Sequence, residues 1–366
     1  MIEEKWRYFA PGGAITPGGP STWYILDWDQ RRLIAVTMDE AQESEDTAIR
    51  HLRRHIDSLG PDVLEIHLSQ DGELVSLSTN PEDDHTFYAY HPPLRAIQPL
   101  DRVKSVLRSD LLELDRVAQN VDLVSYAPDT NAAEMRQVIF KYYFLIQYVH
   151  RWWDEMNLWM RLPQHPNIVP FDRLVLDELR GDVVGFTNLY IPGGTIFHNK
   201  SRVFRQEWFR QLTGVIDDLN LKYGIAHQDI APRNLLVNPK TDTLMLFDFD
   251  YSSRIGGTGY WTERDDVKDA IFTLYEIITR DMQFRNVSFD QQNPADVQGL
   301  DEWVQHSDVK LDHPVSEYHS ILNEWVRTRR EGRQIAMYTE APECIDWPDF
   351  PKPPPKELFS DANGIS

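Results

Sequence analysis

The segment His227-Gln228-Asp229-Ile230-Ala231-Pro232-Arg233-Asn234 sets a carboxylate and a carboxamide five positions apart, directly ahead of the apolar run Leu235-Leu236-Val237. A carboxylate so placed can accept a proton from a hydroxyl, and a carboxamide oxygen can ligate a hard divalent cation. A second apolar run, Leu244-Met245-Leu246-Phe247, ends in Asp248-Phe249-Asp250 and adds two further carboxylates. The interval from Asp229 to Asp248 suits two antiparallel strands joined by a tight turn, which brings both acids to one end of a hairpin. The plain alternative is an ordinary hairpin with solvated acids at its end.

Such side chains need strands and helices to hold them. Upstream, Arg136-Gln137-Val138-Ile139-Phe140-Lys141 reads as a strand ending in lysine, and Trp152 to Leu158 as a helix carrying Asp154 and Glu155. The region is strand-rich from about 110 to 145, helical after that, and strand-rich again near 172–190. Beyond Gly193-Gly194 it is mostly helical, broken by one strand-loop-strand segment at about 225–250. Residues 1–105 read as a separate α+β extension. Strands are predicted at Trp23–Leu26 and Leu33–Val36, a helix from Asp46 through Leu59, and a hairpin over Val63–Ser78 turning at Asp71-Gly72. No catalytic pattern occurs there, and a structural extension packed on the neighbouring strand-rich region is the expectation. The tail after Trp347, with Pro348, Pro351, Pro353, Pro354 and Pro355, is expected to be extended rather than packed.

Taken together, the motifs resemble those of the protein-kinase-like superfamily. His227-x-Asp229-x-x-x-x-Asn234 is similar to the catalytic loop H-R-D-x-x-x-x-N, Asp248-Phe249 to D-F-G, and the strand ending at Lys141 to V-A-I-K. Asp265 to Thr279 resembles the buried helix that carries D-V-W-S-x-G in that fold. The resemblance covers about residues 110–340, and its details are similar to the divergent kinase-like proteins common in filamentous fungi. It implies a bilobal α+β fold: the 1–105 extension, a β-rich N-lobe over 106–191, a helical C-lobe over 192–345, and a tail over 346–366. It further implies an ATP- and Mg²⁺-dependent transfer of a phosphoryl group to a hydroxyl acceptor. Asp229 would orient the acceptor and take its proton, Asn234 and Asp248 would hold Mg²⁺, and Arg233 would neutralise the moving phosphoryl. Lys141 would grip the α- and β-phosphates, braced by Glu155, with Asp154 an available rival for that brace. Tyr190 and Ile191, ahead of Gly193-Gly194, would lie against adenine. His227 would brace the loop, Phe249 would pack beneath it, and Asp266 would hold its backbone from below.

Three departures shape the functional expectation. The segment Leu114–Val124, where phosphates would be covered, has no glycine. Asp250 stands where D-F-G has glycine and is read as a further metal ligand or a group beside one. The stretch between Asp248 and Asp266 is short and lacks A-P-E, which favours a small-molecule acceptor, as in aminoglycoside- and choline-kinase-like enzymes. A protein substrate remains open, as does a pseudokinase that binds nucleotide or serves as a scaffold without transfer.

Composition narrows the partners. The 366 residues are 41% hydrophobic with 11 Trp, 15 Tyr and 16 Phe, ample for packed cores, and the net charge is -21. So acidic a chain repels nucleic-acid backbones and anionic membranes. Cys344 is the single cysteine, so no intrachain disulfide exists and a reducing compartment is expected. Met1–Lys5 lacks a signal-peptide pattern and no run of about 18 apolar residues occurs; a soluble, cytoplasmic protein is expected.

Overall fold

The computed structural model describes residues 2–86, 88–97, 103–128, 134–143 and 149–353. Its contacts divide the chain into two units, one of residues 1–91 and 106–149, the other of residues 92–105 and 150–366. The first is rich in strands and the second holds most of the helices, an α+β architecture.

In the first unit, a one-turn helix α1 (Glu4–Arg7) leads into β1 (Tyr8–Ile15), β2 (Ser21–Asp27) and β3 (Arg32–Met38). Helix α2 (Asp46–Leu52) then crosses to β4 (Glu65–Leu68), which pairs parallel to β3, and β5 (Leu74–Ser78) closes the five-stranded sheet in the order β1-β2-β3-β4-β5. Ile25, Ile34, Val36 and Ile66 from the sheet pack against Ala48 and Leu52 from α2, forming the core between sheet and helix. After β6 (Ser105–Leu107), at which the two units divide, β7 (Leu112–Ala118), β8 (Val121–Tyr126) and β9 (Arg136–Tyr142) form an antiparallel meander. Arg31, at the β2–β3 turn, joins the two parts of the unit. It reaches Asp122 at 2.5 Å, Glu113 at 2.9 Å and the Tyr142 hydroxyl at 2.8 Å. The N-terminal region therefore packs on the meander, as expected.

In the second unit, α3 (Val149–Arg161) buries Trp152, Trp153, Met156 and Trp159. An antiparallel pair comes next, β10 (Phe171–Leu176) with β11 (Val183–Leu189). Beyond it lie β12 (Val203–Phe204), α4 (Gln206–Asp217), β13 (Ile225–Ala226), the antiparallel hairpin β14 (Leu235–Asn238) and β15 (Thr243–Leu246), and β16 (Ser253–Arg254), which pairs with β13. Helices α5 (Asp266–Thr279), α6 (Pro294–Gln298) and α7 (Val315–Glu331) complete it, with β17 (Lys310–Leu311) parallel to β12. From Lys268 through Ile278 every side chain of α5 is buried, so this helix is the one around which the unit packs. No helix among the described residues is long and apolar enough to cross a membrane.

Three local expectations are corrected. The helix predicted over Asp46–Leu59 ends at Leu52; beyond it the Arg54 and His55 amides bond three residues back and a single tight turn spans Ile56–Ser58. Ala48, Leu52 and Ile56 still bury one face, so the apolar periodicity outlasts the helix. Strand β1 is an addition to the expected strands, because Pro11-Gly12-Gly13 argues against one. It is an edge strand with an irregularity between Phe9 and Gly12, where proline is tolerated. A Cβ on Gly13 would stand 2.7 Å from the Trp23 ring, which explains the glycine. The tail is packed at its start: the Trp153 indole donates to Pro348 O at 2.7 Å, the Trp347 indole to Asp154 at 2.7 Å, and Phe350 meets Trp153 edge-on. Pro354 and Pro355 lie outside the described residues, as do residues 144–148 of the predicted strand-rich stretch.

Candidate functional site

The β14–β15 hairpin fixes the chemistry-bearing residues. Leu235 pairs with Leu246 at its open end, and the Phe247 amide donates to Asn234 O at 3.2 Å. Asn234 and the Phe247-Asp248 junction are thereby side by side, and Asp229 joins them through side-chain bonds. Asn234 Nδ2 donates to Asp229 O at 2.9 Å and to its Oδ2 at 2.7 Å, while Arg233 pairs with Oδ1. Asp229 is 7% exposed, enough for one oxygen to meet a ligand.

Beneath the loop lies α5. Asp266 is buried and accepts from the His227 amide at 2.8 Å, the Gln228 amide at 2.7 Å and Asn220 Nδ2 at 2.8 Å. Thr273, two turns on, donates to Ile230 O at 2.9 Å. The loop backbone, including Gln228 in the left-handed region at φ 63°, is thus held by side chains from a deeply buried helix. Burial raises the Asp266 carboxyl above its ordinary range, against the pull of the donors.

Asp269, on the same helix, is fully buried 3.4 Å from Arg285, and burial pushes its carboxyl up to about 7 from an ordinary 3.8. Between those values the folded protein keeps a proton that the unfolded chain has lost, so this group's stabilisation is complete below pH 3.8 and is lost as pH rises to about 7. The slope is at most about 1.4 kcal/mol per pH unit. Urea denaturation of the wild type and Asp269→Asn across that window is expected to show the wild type losing stability with rising pH relative to the variant. Parallel curves would contradict it.

At the open end of the hairpin, Asp248 is half-buried with φ 70°, a conformation rare outside glycine. Phe249 is wholly buried, its ring 4.9 Å from His227 and 5.0 Å from Trp159, and its amide donates to Glu155 Oε1 at 3.1 Å. His227 shares a hydrogen bond with Phe247 O at 3.2 Å. Loop, hairpin and α3 are locked together at this point, with Glu155 rather than Asp154 turned to the site. Asp154 serves the tail instead. Asp250 lies 3.9 Å from Arg151. Among the described residues no group of three or more His, Cys, Asp or Glu side chains is arranged to hold a metal ion. The donor set nevertheless suits Mg²⁺ bound together with phosphates: Asn234 spends its Nδ2 on Asp229, which leaves Oδ1, the oxygen that ligates metals, facing the other way.

No protein-family model and no curated protein sequence matches this chain.

Tyr190 and Ile191, just past the end of β11, are half-buried, and Gly193 and Gly194 turn the chain at φ 107° and 71°, which side chains resist. Lys141 belongs to the first unit, where it is buried on β9 opposite Val121. The segment without glycines forms the β7–β8 hairpin of that unit. Its turn is Gln119-Asn120, with Asn120 at φ 57°.

One contributor had no signal in the sequence. The buried Gln228 amide donates to Tyr251 O at 2.7 Å and Gly259 O at 3.3 Å and accepts from the Trp261 amide at 2.7 Å. It pins the short segment after Asp250 to the loop. Its partners are backbone groups 23 to 33 residues away, and backbone groups leave no trace in residue identity.

Proposed function

We propose that this chain is an ATP-dependent phosphotransferase with a protein-kinase-like fold, acting on a hydroxyl acceptor. The observation that carries the reading is the Asp229–Asn234–Phe247 arrangement: a general base, an amide oxygen and the residue before an acid at one end of a hairpin, held from below by Asp266. Phosphoryl transfer asks little covalent chemistry of a protein and much positioning.

Asp229 accepts a hydrogen bond from the acceptor hydroxyl and takes its proton as the new P–O bond forms. Arg233 and Asn234 keep that carboxylate aimed and ionised by donating to it. Asn234 Oδ1 and Asp248 are the ligands for Mg²⁺, which would supply charge neutralisation on the transferred phosphoryl. Glu155, by fixing the Phe249 amide, holds Asp248 in its strained backbone state. Tyr190 and Ile191 are assigned to the adenine, and Lys141 to the phosphates, by the sequence pattern.

A second reading, a nucleotide-binding or scaffold module that does not transfer, is favoured by one observation: the β7–β8 turn carries the side chains of Gln119 and Asn120 rather than glycines. Thermal denaturation with Mg-ATP tests what both share. At about a hundred times its Kd a ligand stabilises by about 2.7 kcal/mol, a rise of several degrees. No rise at millimolar Mg-ATP would defeat both readings. A rise in the wild type that Asp248→Ala loses is the expected result.

A further inference from the structure

Beside the loop, the second unit encloses a cavity of about 120 Å³ whose lining includes Ile196, Phe197, Arg202, Pro232, Ile277 and Met282. It abuts the site itself. Pro232 belongs to the loop, its carbonyl accepts from the Phe197 amide at 3.1 Å, and the Ile196 amide donates to Leu235 O at 2.9 Å. The cavity wall is therefore one residue from Arg233 and three from Asp229 along a rigid turn.

Its charge runs against that of the molecule. In a chain of net charge -21, no acidic residue occurs between Asp182 and Glu207, whereas Lys200, Arg202 and Arg205 do. Lys200, Arg202 and Arg280 line the cavity, and its one acid, Glu276, is buried and tied to Arg285. Arg280 is already engaged with Asp308 at 2.9 Å. Arg202 reaches only Gly193 O, at 3.4 Å, and its buried Nη1 has no hydrogen-bond partner among the described residues. A buried guanidinium nitrogen without an acceptor is costly unless a ligand supplies one. Apolar walls with a few converging polar groups are the usual make-up of a small-molecule site.

We propose that this cavity is the acceptor subsite, and that the acceptor is a small hydroxyl-bearing molecule with an anionic group, carboxylate or phosphate, held by Arg202 and Lys200. Its apolar body lies against Ile196, Phe197 and Met282, and its hydroxyl points along Pro232 toward Asp229. The proposal rests on the phosphotransferase reading and narrows its substrate class.

The test pairs binding with turnover on the full chain. D-glycerate and glycerol 3-phosphate are the anionic probes, glycerol and choline the neutral and cationic ones, and a serine peptide flanked by glutamates the macromolecular one. Each is titrated at millimolar concentration by ligand-observed NMR and assayed for ADP release with Mg-ATP. The expected result is binding and ADP release with one or both anionic small molecules, the carboxylate and phosphate arms showing which group is preferred. Arg202→Ala should weaken binding about tenfold or more, as loss of a charge-assisted contact does. It should raise the acceptor KM more than the KM for ATP, and Arg202→Lys should recover part of the loss. ADP release with glycerol, choline or the peptide alone would overturn the subsite while keeping the transferase. Anions that bind, lose affinity in Arg202→Ala and never yield ADP would keep the site and defeat the reaction. Binding equal in Arg202→Ala and wild type, or no binding by either anion, would overturn the proposal.

Discussion

Asp229→Ala is expected to lower turnover by about 10²- to 10⁴-fold, the usual contribution of a positioned general base, while changing stability by no more than about 1 kcal/mol. The two halves of this expectation come from different contacts. The proton acceptor disappears, and nothing else at the loop replaces it. Yet the loop keeps its shape, because Asn234 Nδ2 still bonds the backbone carbonyl at position 229 and Asp266 still holds the two amides before it. Arg233 loses its ion partner but is half exposed, and exposed pairs contribute little. A role for Asp229 limited to anchoring Arg233 and Asn234 would give the opposite pattern, a measurable fall in stability with turnover changed only severalfold. Denaturant unfolding and steady-state kinetics on the same preparation separate the two.

Asp266→Ala is expected to cost about 3–5 kcal/mol of stability. It strips the acceptor from three buried donors, the amides of His227 and Gln228 and Asn220 Nδ2, and each orphaned donor costs about 1–3 kcal/mol. Part is returned because a buried carboxylate, itself unfavourable, is removed as well. Activity should fall with stability, since the loop that aims Asp229 rests on this group. Asp266→Asn keeps one acceptor oxygen and should lie between. Equilibrium unfolding in urea gives the numbers. A loss below about 1 kcal/mol for the alanine variant would mean that the loop is held by something other than α5.

Much of the site could be read from the sequence because its parts are local. The loop from His227 to Asn234 and the acid at Asp248 flank two short apolar strands whose register is set by the turn between them. Asp266, expected to hold the loop from below, accepts from its two amides, and Phe249 is buried against His227 as expected. What escaped the sequence is what depends on distant backbone. The Gln228 latch uses carbonyls and an amide of whatever residues stand at 251, 259 and 261. Prolines dominate the composition of the tail and suggest an extended end, but Trp347 and Phe350 among them carry enough apolar surface to dock on α3. Strand β1 is hidden by Pro11 and two glycines that an edge position tolerates.

Phosphotransfer requires that the γ-phosphoryl of ATP leave the nucleotide and reappear on a hydroxyl. Incubating the protein with Mg-ATP carrying a γ-phosphoryl label and a fractionated cell extract, beside Asp229→Ala, measures this directly. The expected result is label in a new alcohol-phosphate product with the wild type and about a hundredfold less or lower with the variant. Nucleotide that binds and stays intact in both, or product formed equally by both, would contradict it.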